Sequence, residues 1–166
     1  MCIGKHDGKA TNLLFIFTKK HLTSLRKFQE ENNFIRIPLK RLKTGHYKLP
    51  MKVNNVKGEF ILDTGASNSC IGFESIHHFQ MDSEESEVKA AGAGAIDMET
   101  KVSHENHLTI GNSQISNVVF VLFNLSHVNS ALQQVDENPV HGILGADLLK
   151  RLRAVIDYGR NCLYIK

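Results

Sequence analysis

Polar and apolar residues change rhythm along this chain. Over residues 20–31, KHLTSLRKFQEE sets Leu22, Leu25 and Phe28 at helical intervals among polar neighbours and predicts a short amphipathic helix. Beyond Asn32-Asn33 the period shortens to two. FIRIPLKRL alternates as a half-buried strand does, and Pro38, which has no N–H to give, assigns that strand to a sheet edge. HYKLPMKV and VKGEFILD follow as two strands joined by Asn54-Asn55, a pair that tolerates the positive φ of a tight hairpin. Residues 34–62 thus form a meander of strands that ends on Asp63.

GFESIHHFQ, residues 72–80, predicts a short helix, and the acidic MDSEESE after it a solvated loop. VKAAGAGAIDMETKV has small residues between β-compatible flanks, the pattern of a long hairpin with a mobile tip. HLTIGNSQISNVVFVLF gives two strands about Gly111-Asn112, and SHVNSALQQVDENP a helix capped by Ser126 and ended by Pro139. VHGILGADLLKRL is an apolar strand that turns at Gly145 into a helix, and AVIDYGRNCLYIK is a closing hairpin. Many strands, few helices and no βαβ alternation predict a mainly β domain.

Composition narrows the class further. A chain of 166 residues has the size of one domain and can bury about 70% of its unfolded surface without a disulfide or metal. Twenty Lys and Arg against seventeen Asp and Glu leave +3, too weak a balance to argue for nucleic acid. Cys2, Cys70 and Cys162 are odd in number and unclustered, which predicts a reducing compartment. The apolar run Leu13 to Phe17 is far shorter than the roughly 20 residues of a membrane span and lacks the order of a signal peptide. The expectation is a soluble, cytoplasmic protein with no membrane partner.

The chemistry concentrates after Leu62, in FILDTGASNSC. A buried carboxylate without a partner is costly. Asp63 closes an apolar strand, Thr64 adds a hydroxyl, and Gly65 lets another backbone approach where a Cβ would clash. Peptide hydrolysis needs both a base for water and an acid for the departing nitrogen, and two carboxylates sharing one proton supply both. The chain holds one DTGA, so the second carboxylate must come from a second chain.

ILDTGAS at 61–67, preceded by strands and followed by GILGADLL at 142–149, resembles the retropepsin-like aspartic proteases. The resemblance covers residues 34–166 and leaves 1–33 as an N-terminal extension of uncertain structure. It implies a closed, barrel-like acid-protease fold, one domain per protomer, working as a two-fold homodimer on a peptide or protein substrate without cofactor or metal. It further implies that Asp63 is the catalytic aspartate, that the Thr64 hydroxyl bonds across the dimer, and that Gly65 is the close-contact glycine. Ile143, Leu144 and Gly145 would pack beneath the loop, and the hairpin with Ala91, Gly92, Ala93 and Gly94 would be the flap over substrate. Ala66 cannot donate to the carboxylate as Ser would, so a pH optimum nearer neutral than that of a gastric-type enzyme is expected. Many viral enzymes carry Arg at the position of Ala146, so their intersubunit salt bridge is not implied here.

Other readings compete with an aspartic endopeptidase. A catalytically silent dimeric module of the same fold could use the cleft to hold peptides, and Asp63 could simply cap a turn. AGAGAIDM lacks the last glycine of a dinucleotide loop and a preceding apolar strand. His104 and His107 fall in a predicted strand that would put them on opposite faces, against a metal site. His141 either lines the cleft or ends a loop. Cys70 is read as a small buried apolar residue, and Asp157 and Tyr158 as turn and packing residues.

Overall fold

The computed structural model describes residues 24–86, 90–92 and 95–166, with 90–92 and 95–98 described by backbone alone. Internal contacts divide the chain into two units, Met1–Asn33 and Phe34–Lys166. The described element of the first is helix α1, Leu25–Glu31, whose N-cap Ser24 accepts the Lys27 N–H at 3.2 Å. That cap makes the helix shorter than the one predicted over 20–31, and the earlier part of that prediction lies outside the described residues.

The second unit is mainly β. In chain order it contains β1 (Ile35–Pro38), β2 (Lys40–Arg41), β3 (Tyr47–Val53), β4 (Val56–Leu62) and β5 (Cys70–Gly72). Next come β6 (Glu84–Glu85), β7 (Ala90–Gly92), β8 (Ala95–Met98), β9 (Thr100–Ile110), β10 (Ser113–Phe123) and helix α2 (Ser126–Gln133). The chain ends with β11 (Gly142–Leu144), helix α3 (Ala146–Arg151), β12 (Val155–Asp157) and β13 (Cys162–Ile165).

Six of these strands close a barrel. The order β3-β4-β11-β5-β10-β9 returns on itself where β3 pairs with β9 through Lys52 with Thr109 and Val53 with Leu108. Closure removes the free edges that would otherwise template aggregation. β4 with β11 and β5 with β10 run parallel; the remaining barrel pairs are antiparallel. Leu49, Val53, Phe60, Ile71, Leu108, Phe120, Leu122 and Leu144 are fully buried inside, and the Phe60 and Phe79 rings stack at 5.9 Å. The expected hairpin between β3 and β4 turns on Asn54 (φ 50°) and Asn55 (φ 67°). A second sheet, β1-β13-β12, turns Ile35, Ile37, Leu163 and Ile165 to the same core, with Pro38 on the edge strand as its missing N–H requires.

Local patterns misled at three places. The helix predicted over 72–80 is one 3₁₀ turn, Phe73–Ser75, followed by tight turns that bring Phe79 into the barrel core. The acidic loop contains β6, which pairs with β9 and sets Glu85 3.0 Å from Lys101. Ser126 is the first residue of α2 rather than its cap: Leu125 holds the cap position, and Asn124 Oδ1 accepts the Ser126 N–H at 2.8 Å. β7 and β8 form a hairpin within the long one expected over 88–102; its tip at Ala93 and Gly94 lies outside the described residues.

Candidate active site

Asp63 is placed by a pair of parallel strands. Gly142, Ile143 and Leu144 of β11 register with Phe60, Ile61 and Leu62 of β4, and the Asp63 N–H continues the ladder to the Leu144 carbonyl at 3.1 Å. Asp63 and Gly145 therefore leave neighbouring strands at the same level. Gly65 N–H donates to Asp63 Oδ1 at 2.8 Å, and Ala66 N–H to the Asp63 carbonyl at 3.3 Å. These bonds fold residues 63–66 into a tight turn. Asp63 is half-buried while Thr64 and Gly65 are exposed, so the carboxylate rises from an apolar base to a solvent-facing loop.

The segment after β11 grips this loop from below. Ala146 N–H donates to the Ala66 carbonyl at 2.8 Å, and Asp147 N–H to that of Ser67 at 3.3 Å. Asp147 Oδ1 accepts both the Ser69 N–H (2.8 Å) and its hydroxyl (2.7 Å), and Ser69 Oγ in turn accepts the Gly145 N–H at 2.9 Å. Gly145 must lack a side chain, because a Cβ there would lie 2.6 Å from the backbone carbonyl carbon and oxygen of Asn68. Leu144 is buried in the main core. Ile143 packs with Cys70 and Leu125, and Ala66, Val121, Phe123 and Val128 pack around that cluster. Ile143, Leu144 and Gly145 thus lie directly beneath the Asp63 loop.

Cys70 is chemically quiet. Burial first, then the charges of Asp147 and Asp63, push its thiol up to about 12, and Sγ donates to the Asn68 carbonyl at 3.1 Å. A thiol held protonated is no nucleophile near neutral pH. Thr64 joins Ala146, Leu149 and Ile156 in lining an open groove of about 440 Å³.

The remaining candidates separate from this loop. Ala91 and Gly92 lie in β7; Ala93 and Gly94 are outside the described residues. His104 and His107 are both exposed, not on opposite faces, because an extra residue in β9 at Glu105 (φ 58°) shifts the alternation between them. Among the described residues no three His, Cys, Asp or Glu side chains converge as metal ligands. His141 precedes β11, at the end of the strand away from Asp63. There its Nδ1 accepts the Glu59 N–H at 3.1 Å and its ring stacks on His78 at 4.8 Å. Asp157 is a turn residue that accepts the Arg160 N–H and ion-pairs with its guanidinium, while Tyr158 leans on Tyr47. Among the described residues no helix is long and apolar enough to cross a membrane.

The Ser69–Asp147 pair escaped the sequence reading. Both residues are polar, unremarkable in local context and 78 positions apart, and only the barrel brings them together.

The family model for aspartyl proteases matches residues 49–148, from within β3 to within α3, and so takes in both Asp63 and the segment that grips it. The chain belongs to the aspartyl protease family. Its barrel has the retropepsin-like fold. A retropepsin-like aspartic protease from Rickettsia conorii is similar at 22% identity and a TM-score of 0.53, covering 80% of this chain and 89% of that one. The EIAV protease complexed with the inhibitor HBY-793 is similar at 19% identity and a TM-score of 0.50, covering 66% of this chain and 90% of that one. No curated protein matches the chain. Membership in this family supports a protease-type function.

Proposed function

We propose that this protein is an aspartic endopeptidase that works as a homodimer, with Asp63 of each chain contributing to one shared site. The observation that carries this reading is the position of Asp63: half-buried, at the head of a loop whose next two residues, Thr64 and Gly65, are exposed and free of bulk. A two-fold interface joins a surface to its own copy, and this loop is the surface that would place one carboxylate beside another. With the two so close, repulsion leaves a single proton shared between them. The ionised carboxylate takes a proton from a water whose oxygen bonds to the scissile carbonyl carbon. The protonated partner gives its proton to the oxygen that becomes negative. The tetrahedral diol then collapses: one of its hydroxyls returns its proton to the ionised carboxylate as the C=O re-forms, the C–N bond breaks, and the protonated carboxyl passes its proton to the departing nitrogen, leaving one proton shared by the pair as at the start. The products are two peptides, with no covalent enzyme intermediate. The backbone hydrogen bonds to residues 65, 66, 146 and 147 hold the loop so that the carboxylate needs no rearrangement to act.

The deciding experiment digests a mixed peptide library from about pH 3 to pH 8 with wild type and Asp63→Asn, with dimer content matched by sedimentation. The expected result is cleavage by wild type and a loss on the order of 10³-fold or more in the still-dimeric variant. Equal cleavage by both would reject Asp63 as the catalytic group. Peptide binding without cleavage by either would make the protein a binding module.

A further inference from the structure

Helix α2 belongs to the segment between β10 and β11, and nothing in the chemistry at Asp63 calls for it. Its packing is specific nonetheless. Leu132 is buried with Leu42, Ile61 and Val140, while Leu125, just before the helix, is buried with Cys70 and Ile143. Val128 packs against both groups, and Ala66 packs against the second. Leu125 and Leu132 are closed off, at 0% and 2% exposure, whereas Val128 and Ala66 are only half-buried. Ala66, Val121, Phe123 and Val128 all keep surface open on the second group, but of these only Val128 also packs on the first, and Ala66 is three residues from Asp63.

The helix is pinned rather than merely leaning. The Asn129 carboxamide clasps Val140 in both directions: Nδ2 donates to the Val140 carbonyl at 3.1 Å, and Oδ1 accepts the Val140 N–H at 2.9 Å. Val140 lies two residues before Gly142, where β11 begins. β11 is also the strand whose end holds the Asp63 N–H. Val128 and Asp63 are therefore both referenced to one short strand, which is what a wall at fixed distance from a reacting group requires.

We infer that Val128 is a specificity-determining residue, an apolar wall of the substrate cleft beside Ala66 whose volume limits the substrate side chain accepted next to the scissile bond. The inference rests on Asp63 being the catalytic group. A methylene more or less in an apolar pocket changes discrimination by roughly tenfold or more. Truncating the wall enlarges the pocket, and lengthening it shrinks the pocket.

The test measures kcat and KM on peptides that differ only in having Ala, Leu or Phe at the residue before the scissile bond, and then only at the residue after it. The enzymes are wild type, Val128→Ala and Val128→Leu. Val128→Ala is expected to favour Phe over Ala peptides by about tenfold relative to wild type at one of the two positions, chiefly through KM, and Val128→Leu to shift the ratio the other way. Should Val128→Ala fail to fold, the opposite shift in Val128→Leu carries the test. An unchanged ratio in folded variants, or an equal loss on every peptide with a lowered melting temperature, would assign Val128 a packing role and overturn the inference while leaving Asp63 in place. Absence of cleavage by wild type would overturn both.

Discussion

One oxygen of Asp147 accepts both the N–H and the hydroxyl of Ser69, at 2.8 and 2.7 Å, and so ties the first turn of α3 to the end of the Asp63 loop. Removing it strands two donors of Ser69, a residue with 0% exposure. Asp147→Ala should therefore cost about 1–3 kcal/mol of stability in urea melts. Because the loop it steadies carries Asp63, kcat/KM should fall by about tenfold or more even under conditions where the variant is folded. Asp147→Asn keeps an acceptor oxygen and should retain most of both. Equal losses in the two variants would mean that the charge, not the hydrogen bonds, matters.

Gly145 gives a second test of the same support. A methyl group there meets the Asn68 backbone, which cannot rotate away as a side chain could. Gly145→Ala should destabilise by about 1–3 kcal/mol, read by thermal melting. An unchanged melting temperature would show that residues 66–68 can move aside.

His141 makes stability depend on pH. Burial, and then neighbouring His78, hold its pKa below the ordinary 6.5, against the opposite pull of Glu59 and Glu74. The folded protein thus binds this proton less readily than the unfolded chain, so the contribution is complete above about pH 6.5 and is lost as pH falls through the lower folded value. Melting temperatures of wild type and His141→Gln from about pH 8 down to pH 5 should converge on the acid side. A constant difference across that range would remove His141 from the account.

Ala66 bears on the pH profile of catalysis. Its methyl packs into the cluster of Cys70, Leu125 and Ile143 and offers Asp63 no hydrogen-bond donor. Under the proposed mechanism the optimum should lie nearer neutral than that of a gastric-type enzyme, and Ala66→Ser should move it to lower pH by stabilising the charged carboxylate. Profiles of kcat/KM against pH for the two proteins decide this. A wild-type maximum at about pH 2 would contradict it.

Legibility in the sequence followed locality. The Asn54-Asn55 hairpin, the turn at Gly111, the strand that becomes a helix at Gly145 and the closing hairpin of β12 and β13 could be read from period and turn residues, because the interactions that make them span a few residues. The helix expected over 72–80 failed for the opposite reason. The burial of Phe79 against Phe60 is a contact with another strand, and it outweighs local preference. The bulge at Glu105 likewise belongs to the pairing of β9 with β10 and leaves no mark in the spacing of His104 and His107.

The sequence by itself determined the mainly β character and pointed to Asp63, Thr64, Gly65 and Ala66 as the segment with chemistry to offer. Side-chain type and short-range backbone preference suffice for both. The tertiary structure alone decided that β3 meets β9, that Asp147 answers Ser69, and that Val128 and Ala66 pack on one apolar cluster. Those pairs lie more than 50 residues apart in the chain. Only closure of the barrel, driven by burial of its common apolar interior, chooses which distant groups become neighbours.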